Sequence, residues 1–272
     1  MYDYLIVVAG LFGSVCAYEL GKAGKRCLVI DRRHHIGGNV YTEKLEGIDV
    51  HRYGAHIFHT KNKAIWDYIC QFSEMNHYRH TVLANYRGQI YSLPFTMNTF
   101  NRMWGVVTPK EAEEKIRSQQ LAGEIKSLED QAISLVGAEI YEKLINGYTQ
   151  KQWRRPCSEL SASIIKRLPI RYTYYADYFD DPYQGIPVEG YTMIIEKMLE
   201  KAEVKLSTEY NEEFKNMAGR IIYTGQIDEF YNYRFGALLY RSLRFETEAQ
   251  DTDNYQGVAV MNFTDAEIPY TG

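Results

Sequence analysis

The chain of 272 residues has 31 lysines and arginines against 35 aspartates and glutamates, which gives a formal net charge of −4. Hydrophobic residues make up 45% and charged residues 24%, a globular composition that excludes a disordered or collagen-like chain. The near-neutral charge argues against general nucleic-acid binding, and no apolar run reaches the ~18–20 residues that span a bilayer. The N-terminal residues carry an acid and lack the basic region of a secretory signal. We therefore predict a cytoplasmic protein without a nucleic-acid partner or membrane span.

The first predicted elements form a βαβ unit. The apolar run YLIVV at residues 4–8 predicts a buried parallel strand, and RCLVI at 26–30 predicts a second one that ends at Asp31. Between them lie a glycine-containing turn and a helix. In dinucleotide-binding, Rossmann-like domains such a turn approaches a pyrophosphate, and the acid binds a ribose hydroxyl. Asp31 lies 21 residues after Gly10, as this role requires. A βαβ unit that binds no nucleotide is the alternative.

Val8 departs from the G-x-G-x-x-G pattern of these turns, in which Gly10 and Gly13 fill the other two glycine positions. Valine is β-branched, so a turn that disfavours a side chain would be strained here by about 1–3 kcal/mol. We expect this strain to weaken cofactor binding.

The segment RRHHIGGN at residues 32–39 follows Asp31 directly. An acid followed by a double glycine is typical of flavoproteins with this fold, in which the segment passes close to the cofactor. The pattern favours a flavin over a nicotinamide.

Three histidines, His51, His56 and His59, lie near one another in sequence. A zinc site usually takes three or four nitrogen or sulfur ligands, and no cysteine or acid pair is suitably placed. We predict no metal. A structural, hydrogen-bonded histidine is the alternative to a functional role for His56, and more strongly so for His59.

The middle of the chain is predicted to be helical. Thr108 and Ser127 are N-caps, each followed three residues later by an acid. An apolar stripe at helical spacing runs from residue 132 to 145 and is interpreted as core. The helix ends in YTQKQW at residues 148–153, where two aromatic rings flank hydrogen-bonding groups. This composition suits a uracil.

The last predicted elements are short strands. Residues 204–206 and 220–225 predict strands that return to the nucleotide-binding sheet. Residues 258–262, with Arg241 and Arg244, are assigned to an antiparallel substrate layer.

Five segments carry a resemblance to a known family. They are YGAHIFHT at residues 53–60, GYTQKQW at 147–153, QGIPV at 184–188, IIYTG at 221–225 and YRSLRFE at 240–246. With the opening βαβ unit, they resemble bacterial UDP-galactopyranose mutases along essentially the whole chain.

The resemblance implies an α/β fold with a Rossmann-like FAD-binding sheet, an inserted helical domain and an antiparallel-sheet substrate domain. The expected FAD-binding domain comprises residues 1–82 and 200–235, the helical domain 97–160, and the substrate domain 83–96, 161–199 and 236–272.

The activity implied by the resemblance is the interconversion of UDP-galactopyranose and UDP-galactofuranose. N5 of the reduced flavin attacks the anomeric carbon and displaces UDP, and the sugar ring then opens and recloses on another hydroxyl. The implied cofactor is reduced FAD, the implied substrate is UDP-galactose, and the implied assembly is a homodimer.

The resemblance also implies the site residues. The flavin is expected to contact Ala9, Gly10, Leu11, Phe12, Gly13, Asp31, Arg32, Gly38, Asn39, His56, Ile57, Thr224 and Gly225. The substrate is expected to contact Tyr148, Thr149, Trp153, Arg171, Tyr183 and Asn262, with Arg171 and His56 as the catalytic residues. Arg171 matches an arginine on the family's mobile lid that clamps the diphosphate. Its neighbours in sequence, Arg154, Arg155 and Arg167, are interpreted as a solvated face.

The chain departs from the family at its end and on its lid. Gly272 stands where relatives have a second diphosphate-clamping arginine, and the segment that completes their flavin site does not follow. The lid reads YAD at residues 175–177, where relatives more often have Asp-Asn-Asn. We expect a truncated homologue. The alternatives are an inactive protein that retains at most partial FAD or UDP-sugar binding, and a flavin amine oxidoreductase, which the aromatic cluster near Trp153 disfavours.

Overall fold

The computed structural model describes residues 1–166 and 168–272, so that Arg167 lies outside the described residues. The chain divides into two compact units. The first comprises Met1–Tyr78 and Asp181–Thr247, and the second comprises Arg79–Asp180 and Glu248–Gly272. This division differs from the predicted three domains, because the helical layer and the strands next to it share one core.

The strands in chain order are β1 (Tyr2–Val7), β2 (Cys27–Ile30), β3 (Thr42–Leu45), β4 (Ile48–His51), β5 (Phe58–Thr60), β6 (Val82–Tyr86), β7 (Gln89–Leu93), β8 (Phe95–Thr96), β9 (Ile170–Arg171), β10 (Tyr183–Gly185), β11 (Glu203–Lys205), β12 (Ala218–Tyr223) and β13 (Val260–Phe263). The helices are α1 (Leu11–Lys22), α2 (Lys63–Ile69), α3 (Met97–Trp104), α4 (Pro109–Arg117), α5 (Leu128–Val136), α6 (Ala138–Ile140), α7 (Gly147–Trp153), α8 (Tyr191–Leu199) and α9 (Ile227–Phe230). A π-helical segment, Tyr141–Asn146, joins α6 to α7.

The first unit is built on a four-stranded parallel sheet in the order β11-β2-β1-β12. Leu5 pairs with Leu28 on one side and with Ile221 on the other. The strands are apolar throughout because both faces of the sheet are covered, as in parallel sheets generally. The predicted Rossmann-like sheet, including the returning strands β11 and β12, is confirmed.

Helix α8 packs in the first unit, although it was predicted in the substrate domain. Its Ile195 shares a buried cluster with Ile6 and Val29 of the sheet. Thr192 on α8 also donates a hydrogen bond to the Thr42 carbonyl at 2.6 Å and accepts one from the Thr42 amide at 2.9 Å. Both the apolar face and this polar pair hold the helix against the nucleotide-binding sheet.

The second unit combines a small sheet with a helical layer. Strand β6 pairs antiparallel with β7 and parallel with β13. The core contains Phe100, Leu128 and Ile140, all fully buried. Both predicted capping boxes form, at Thr108 and at Ser127.

The predicted apolar helix over residues 132–145 is not continuous. It breaks at Gly137, which adopts φ +83° and ψ 163°, between α5 and α6. A left-handed φ suits glycine and interrupts a helix, which explains the break.

The predicted antiparallel substrate layer is only partly present. Strand β13 includes Asn262, but it runs parallel to β6. Arg241 and Arg244 lie in an exposed segment of the first unit. Residues 236–259, which precede β13, form neither helix nor strand.

Candidate functional site

The turn from β1 to α1 has the geometry of a dinucleotide cradle. Val8 adopts φ +83°, so the left-handed conformation that disfavours valine is present at the departing position, as predicted. Gly13 packs so closely on this turn that an added Cβ would lie 2.3 Å from the Val8 carbonyl oxygen. Gly10 is the N-cap of the 12-residue helix α1 and contributes no side-chain cap, so no side chain competes for the first-turn N–H groups.

Asp31 closes this turn at the end of β2. Its Oδ2 accepts a hydrogen bond from the Ala9 amide at 2.8 Å, and its Oδ1 accepts one from the Arg33 amide at 2.9 Å. The side chain is only 2% exposed. A carboxylate has about four acceptor positions, so a ribose hydroxyl can still be bound, but the contacts present show Asp31 holding the two loops together.

The double glycine lies against the same turn. Gly37 and Gly38 adopt φ +90° and +56°, and the Gly37 amide donates to the Ala9 carbonyl at 2.8 Å. A Cβ on Gly38 would come within 3.0 Å of the Gly10 Cα. The two glycine segments therefore approach at a distance that side chains would prevent.

Two residues after β12 complete this end of the sheet. The Thr224 hydroxyl donates to the Val7 carbonyl at 2.7 Å, and its amide donates to the same oxygen at 3.1 Å. Gly225 packs under the Tyr223 ring, where a Cβ would lie 2.9 Å from ring atoms. The predicted contacts Ala9 to Gly13, Asp31, Gly38 and Thr224 are thus brought together at the carboxyl ends of β1, β2 and β12.

Arginines after Asp31 differ in their surroundings. Arg32 is exposed and pairs with Glu229 at 3.7 Å. Two other predicted flavin contacts, Leu11 and Phe12, begin α1, and Phe12 is 68% exposed. Arg33 was not predicted. Its Nη2 donates to Asn39 Oδ1 at 3.0 Å, and its Nη1 is buried without a hydrogen-bond partner in the described part of the chain. The sequence feature that could have identified Arg33 is its position in RRHHIGGN, the segment predicted to pass close to the cofactor.

His56 and Ile57 lie on the segment before β5. The His56 Nδ1 is 2.7 Å from the Gly54 carbonyl, which can only accept, so Nδ1 carries the hydrogen in this contact. The His56 amide donates to His51 Nδ1 at 3.1 Å, which requires an unprotonated nitrogen there. Burial, together with the neighbouring His56, lowers the pKa of His51 and keeps that ring neutral.

Helix α7 presents the predicted uridine residues in the second unit. Burial raises the pKa of Tyr148, and Trp153 packs partly against the core of this unit. Thr149 is buried beside the Cys157 thiol, so its side chain is turned toward the core. Thr149 is therefore less accessible than Tyr148 and Trp153, which are both half-buried.

Two contacts that sequence reasoning missed fix α7 against the end of β13. A Cβ on Gly147 would lie 2.5 Å from the Thr264 carbonyl oxygen. Lys151 Nζ donates to the carbonyls of Phe263 and Tyr270 at 2.6 and 2.8 Å. These contacts hold the end of β13, directly after Asn262, against the helix, and the lysine within the YTQKQW motif was the sequence signal for them.

Arg171 and Tyr183 lie in different units. Arg171 is on β9, and its guanidinium donates to the carbonyls of Asp177 and Tyr178 at 2.5 and 3.1 Å. Tyr183 is on β10 of the first unit, where its ring stacks on Trp66 with centroids 5.9 Å apart. Arg154 and Arg155 are exposed, as predicted.

No cluster of three or more histidine, cysteine, aspartate or glutamate side chains in residues 1–166 and 168–272 is arranged to hold a metal ion. Within the same residues, every helix is too short or too polar to cross a membrane.

Two family models match the chain. One, described as UDP-galactopyranose mutase, covers residues 143–272, and the other, an NAD(P)-binding Rossmann-like domain, covers residues 6–72. A solved structure, a reduced UDP-galactopyranose mutase, superposes with a TM-score of 0.58 at 16% identity, over 78% of this chain and 50% of that one. This likeness supports the fold.

Curated relatives match nearly the whole chain. A probable UDP-galactopyranose mutase of Klebsiella pneumoniae is 41% identical over 99% of this chain and 72% of its own length. A dTDP-fucopyranose mutase of Escherichia coli is 39% identical over all of this chain and 75% of its own length, and a UDP-galactopyranose mutase of Mycoplasma genitalium is 32% identical over 96% and 70%. The chain thus spans about three quarters of these relatives and half of the solved structure.

The residues present fit a flavin. The close approach of Gly10 and Gly38, the uncapped start of α1 and the unpartnered Arg33 nitrogen suit an anionic dinucleotide. The Rossmann-like match and the mutase relatives support FAD as the cofactor. The predicted resemblance is confirmed, and the chain belongs to the UDP-galactopyranose mutase family of isomerases.

Proposed function

We propose that the chain is a flavin-dependent isomerase that interconverts UDP-galactopyranose and UDP-galactofuranose. The observation that carries the proposal is the 41% identity with the Klebsiella pneumoniae relative across 99% of the chain. The glycine cradle and the aromatic helix α7 support it, since the reaction needs both a flavin and a bound nucleoside diphosphate sugar.

The first unit holds the cofactor. Backbone N–H groups at the start of α1 bind the pyrophosphate of FAD, because a helix N-terminus attracts anions and glycines at positions 10 and 13 let the backbone approach. Arg33 adds a cationic donor beside Asn39. Reduced FAD, when bound, supplies a nucleophilic nitrogen toward the anomeric carbon of the sugar.

His56 orients its ring for the flavin. Because Nδ1 donates to the Gly54 carbonyl, Nε2 is the ring nitrogen left to accept a hydrogen bond in this tautomer. We assign His56 the task of accepting a hydrogen bond at the flavin edge and so tuning the reactivity of the cofactor. His59 pairs with Asp181 at 2.5 Å and takes a structural role.

The second unit holds the nucleotide of the substrate. Tyr148 and Trp153 stack on the uracil, and Asn262 bonds to its polar edge or to the ribose. Arg171 binds the diphosphate. When the bond to the anomeric carbon breaks, negative charge develops on the departing diphosphate, and a guanidinium fork stabilises it. The diphosphate contact of Tyr183, which lies on β10 of the first unit, stays a prediction.

A second candidate substrate is dTDP-fucopyranose. The Escherichia coli mutase that is named for it is 39% identical to this chain, nearly as similar as the Klebsiella pneumoniae relative. We therefore include both sugars in the experiment below. A homodimeric assembly and a cytoplasmic location stay predictions.

The first experiment is to add saturating FAD to the purified chain, remove unbound FAD by gel filtration, and record the visible spectrum of the protein fraction before and after dithionite. We expect a bound-flavin band that bleaches on reduction. UDP-galactofuranose is then incubated with the reduced protein, and the pyranose product is separated by chromatography, with dTDP-fucofuranose in parallel.

The outcomes separate the alternatives. Absence of a flavin band at saturating FAD contradicts the proposal for this chain. Bound flavin without conversion of either sugar supports the inactive homologue, and conversion of the dTDP sugar alone supports the second candidate. Flavin reduced by an amine substrate instead of dithionite supports an amine oxidoreductase.

A further inference from the structure

The Arg171 loop, residues 171–180, is closed on its own arginine. Arg171 Nη1 donates to the carbonyl of Asp177, six residues later, at 2.5 Å, and Nη2 donates to the carbonyl of Tyr178 at 3.1 Å. One hydrogen on each terminal nitrogen is therefore taken. The second hydrogen on each nitrogen stays available, but the two carbonyls fix the direction in which the guanidinium points, so a diphosphate that turns Arg171 toward itself has to displace them.

The segment before β6 holds the part of the loop that carries these carbonyls. Arg79 Nη1 lies 3.7 Å from Asp177 Oδ2, and the Tyr178 amide donates to the His80 carbonyl at 2.7 Å. The Asp177 side chain is 15% exposed and that of Arg79 is 50% exposed. The ion pair is thus well enclosed on its acidic side.

We propose that Arg79 and Asp177 form a latch that keeps Arg171 bound to the carbonyls of its own loop, and that the diphosphate of the substrate binds only after the latch opens. Arg79 and Asp177 are positioning residues, since they act through Arg171. This inference rests on the proposed role of Arg171 at the diphosphate. The latch itself is a property of the loop and is measurable without a ligand.

The latch predicts that removing the positive charge of Arg79 strengthens the binding of an anion instead of weakening it. Loss of the cation in Arg79→Gln would ordinarily weaken the binding of an anion. If the pair is a latch, the loss raises the fraction of chains in which Arg171 is available, so UDP binds more tightly. For a half-exposed ion pair we expect about a two- to fivefold gain in affinity.

Calorimetric titration with UDP measures this effect. We expect Arg79→Gln to lower the dissociation constant about two- to fivefold. Asp177→Asn should lower it at least as much, because Asp177 Oδ2 also accepts a hydrogen bond from the Tyr175 hydroxyl at 2.5 Å. The double variant should gain little beyond Asp177→Asn, since either change already breaks the ion pair. Uridine, which has no diphosphate, should bind all variants alike. Asp180→Asn is the matched control: it removes one exposed acid from the same loop and should move UDP affinity less than Asp177→Asn.

Hydrogen exchange without ligand makes the test independent of the proposed function. In Arg79→Gln and Asp177→Asn the Tyr178 amide should exchange faster than in the parent chain, and in Asp180→Asn it should not. Unchanged exchange in the first two overturns the latch. Faster exchange with weaker UDP binding in Arg79→Gln also overturns it, whereas faster exchange in a chain that binds no UDP supports the latch and contradicts the proposed role of Arg171.

Discussion

The two candidate binding regions differ in whether main-chain groups or side chains make their contacts. At the β1–α1 turn, contacts are made by main-chain groups, and side chains matter mainly where a Cβ would intrude, as at Gly13 and Gly38. On helix α7, the same task falls to the side chains of Tyr148 and Trp153, which are fixed by packing. The turn should therefore be sensitive to added atoms, and the helix to removed ones.

The largest expected effect tests the first half of this comparison. Gly13→Ala places a Cβ 2.3 Å from the Val8 carbonyl, so we expect loss of flavin retention and a free energy of unfolding lower by about 1–3 kcal/mol. Chemical denaturation and the flavin absorbance of the purified variant measure both.

Gly21→Ala in the same helix is the control. Its Cβ would lie 3.6 Å from the Lys201 Cβ, an ordinary contact. Here alanine should raise the free energy of unfolding by about 0.4–1 kcal/mol and leave flavin binding unchanged. Equal losses in both variants would contradict the role of the close approach at Gly13.

The second half of the comparison is tested by removing a ring. Trp153→Ala should weaken UDP binding by about 1–3 kcal/mol, the usual cost of losing an aromatic partner of a base. Calorimetric titration measures it. Trp104→Ala is the control, since Trp104 also packs against the core of the second unit but lies on α3. If both variants lose UDP affinity equally, the loss reflects packing instead of stacking.

Val8 lies in the β1–α1 turn and has a left-handed φ that disfavours its β-branched side chain. Val8→Gly removes the penalty of a left-handed valine, and we expect FAD to bind about tenfold more tightly, equivalent to about 1–2 kcal/mol. Fluorescence titration of FAD measures the change. Val8→Ala retains a Cβ and should recover less of it, and an unchanged affinity in Val8→Gly would show that the strain does not reach the cofactor.

The smallest expected effect concerns Glu111, whose removal should change the stability of the second unit but not its binding of UDP. Helix α4 carries no predicted site residue, and the amides of Val107 and Thr108 donate to Glu111 Oε2 at 2.9 Å each. These bonds lower the pKa of Glu111 below its ordinary 4.5. Its contribution is therefore present above pH 4.5 and lost as the pH falls through the lower folded value.

Glu111→Gln should consequently reduce the free energy of unfolding slightly at neutral pH without changing UDP affinity. The difference from the parent chain should vanish in acid. Denaturation at several pH values measures it, and a difference that persists in acid would contradict the capping bond as its cause.

The sequence could predict what depends on local pattern. Runs buried on both faces marked β1 and β2, the caps at Thr108 and Ser127 marked helix starts, and Val8 marked a strained turn. Each of these features follows from a few adjacent residues, and the structure has all of them.

Features that depend on distant partners were not predictable. Gly147 and Lys151 are explained only by the chain end that packs on them, 264–270. The docking of α8 on the first unit depends on Thr42, 150 residues away in sequence from Thr192. Asp177 was noted only as a departure on the lid, because its partner Arg79 lies on a segment that no motif marks.

The π-helical segment Tyr141–Asn146 directly precedes α7, so the way this segment is wound helps to set the direction in which α7 presents its side chains. A π-helix holds more residues per turn than an α-helix, and each residue turns an α-helix by about 100°. Deleting the extra residue of this segment would restore a regular helix and leave Tyr148 and Trp153 facing nearly the same way, because the wider turn had absorbed that residue. Deleting a residue from a regular α-helix would instead rotate both side chains by about 100°. The π-helical segment therefore lets α7 tolerate one change in chain length without turning its aromatic residues away from their present side.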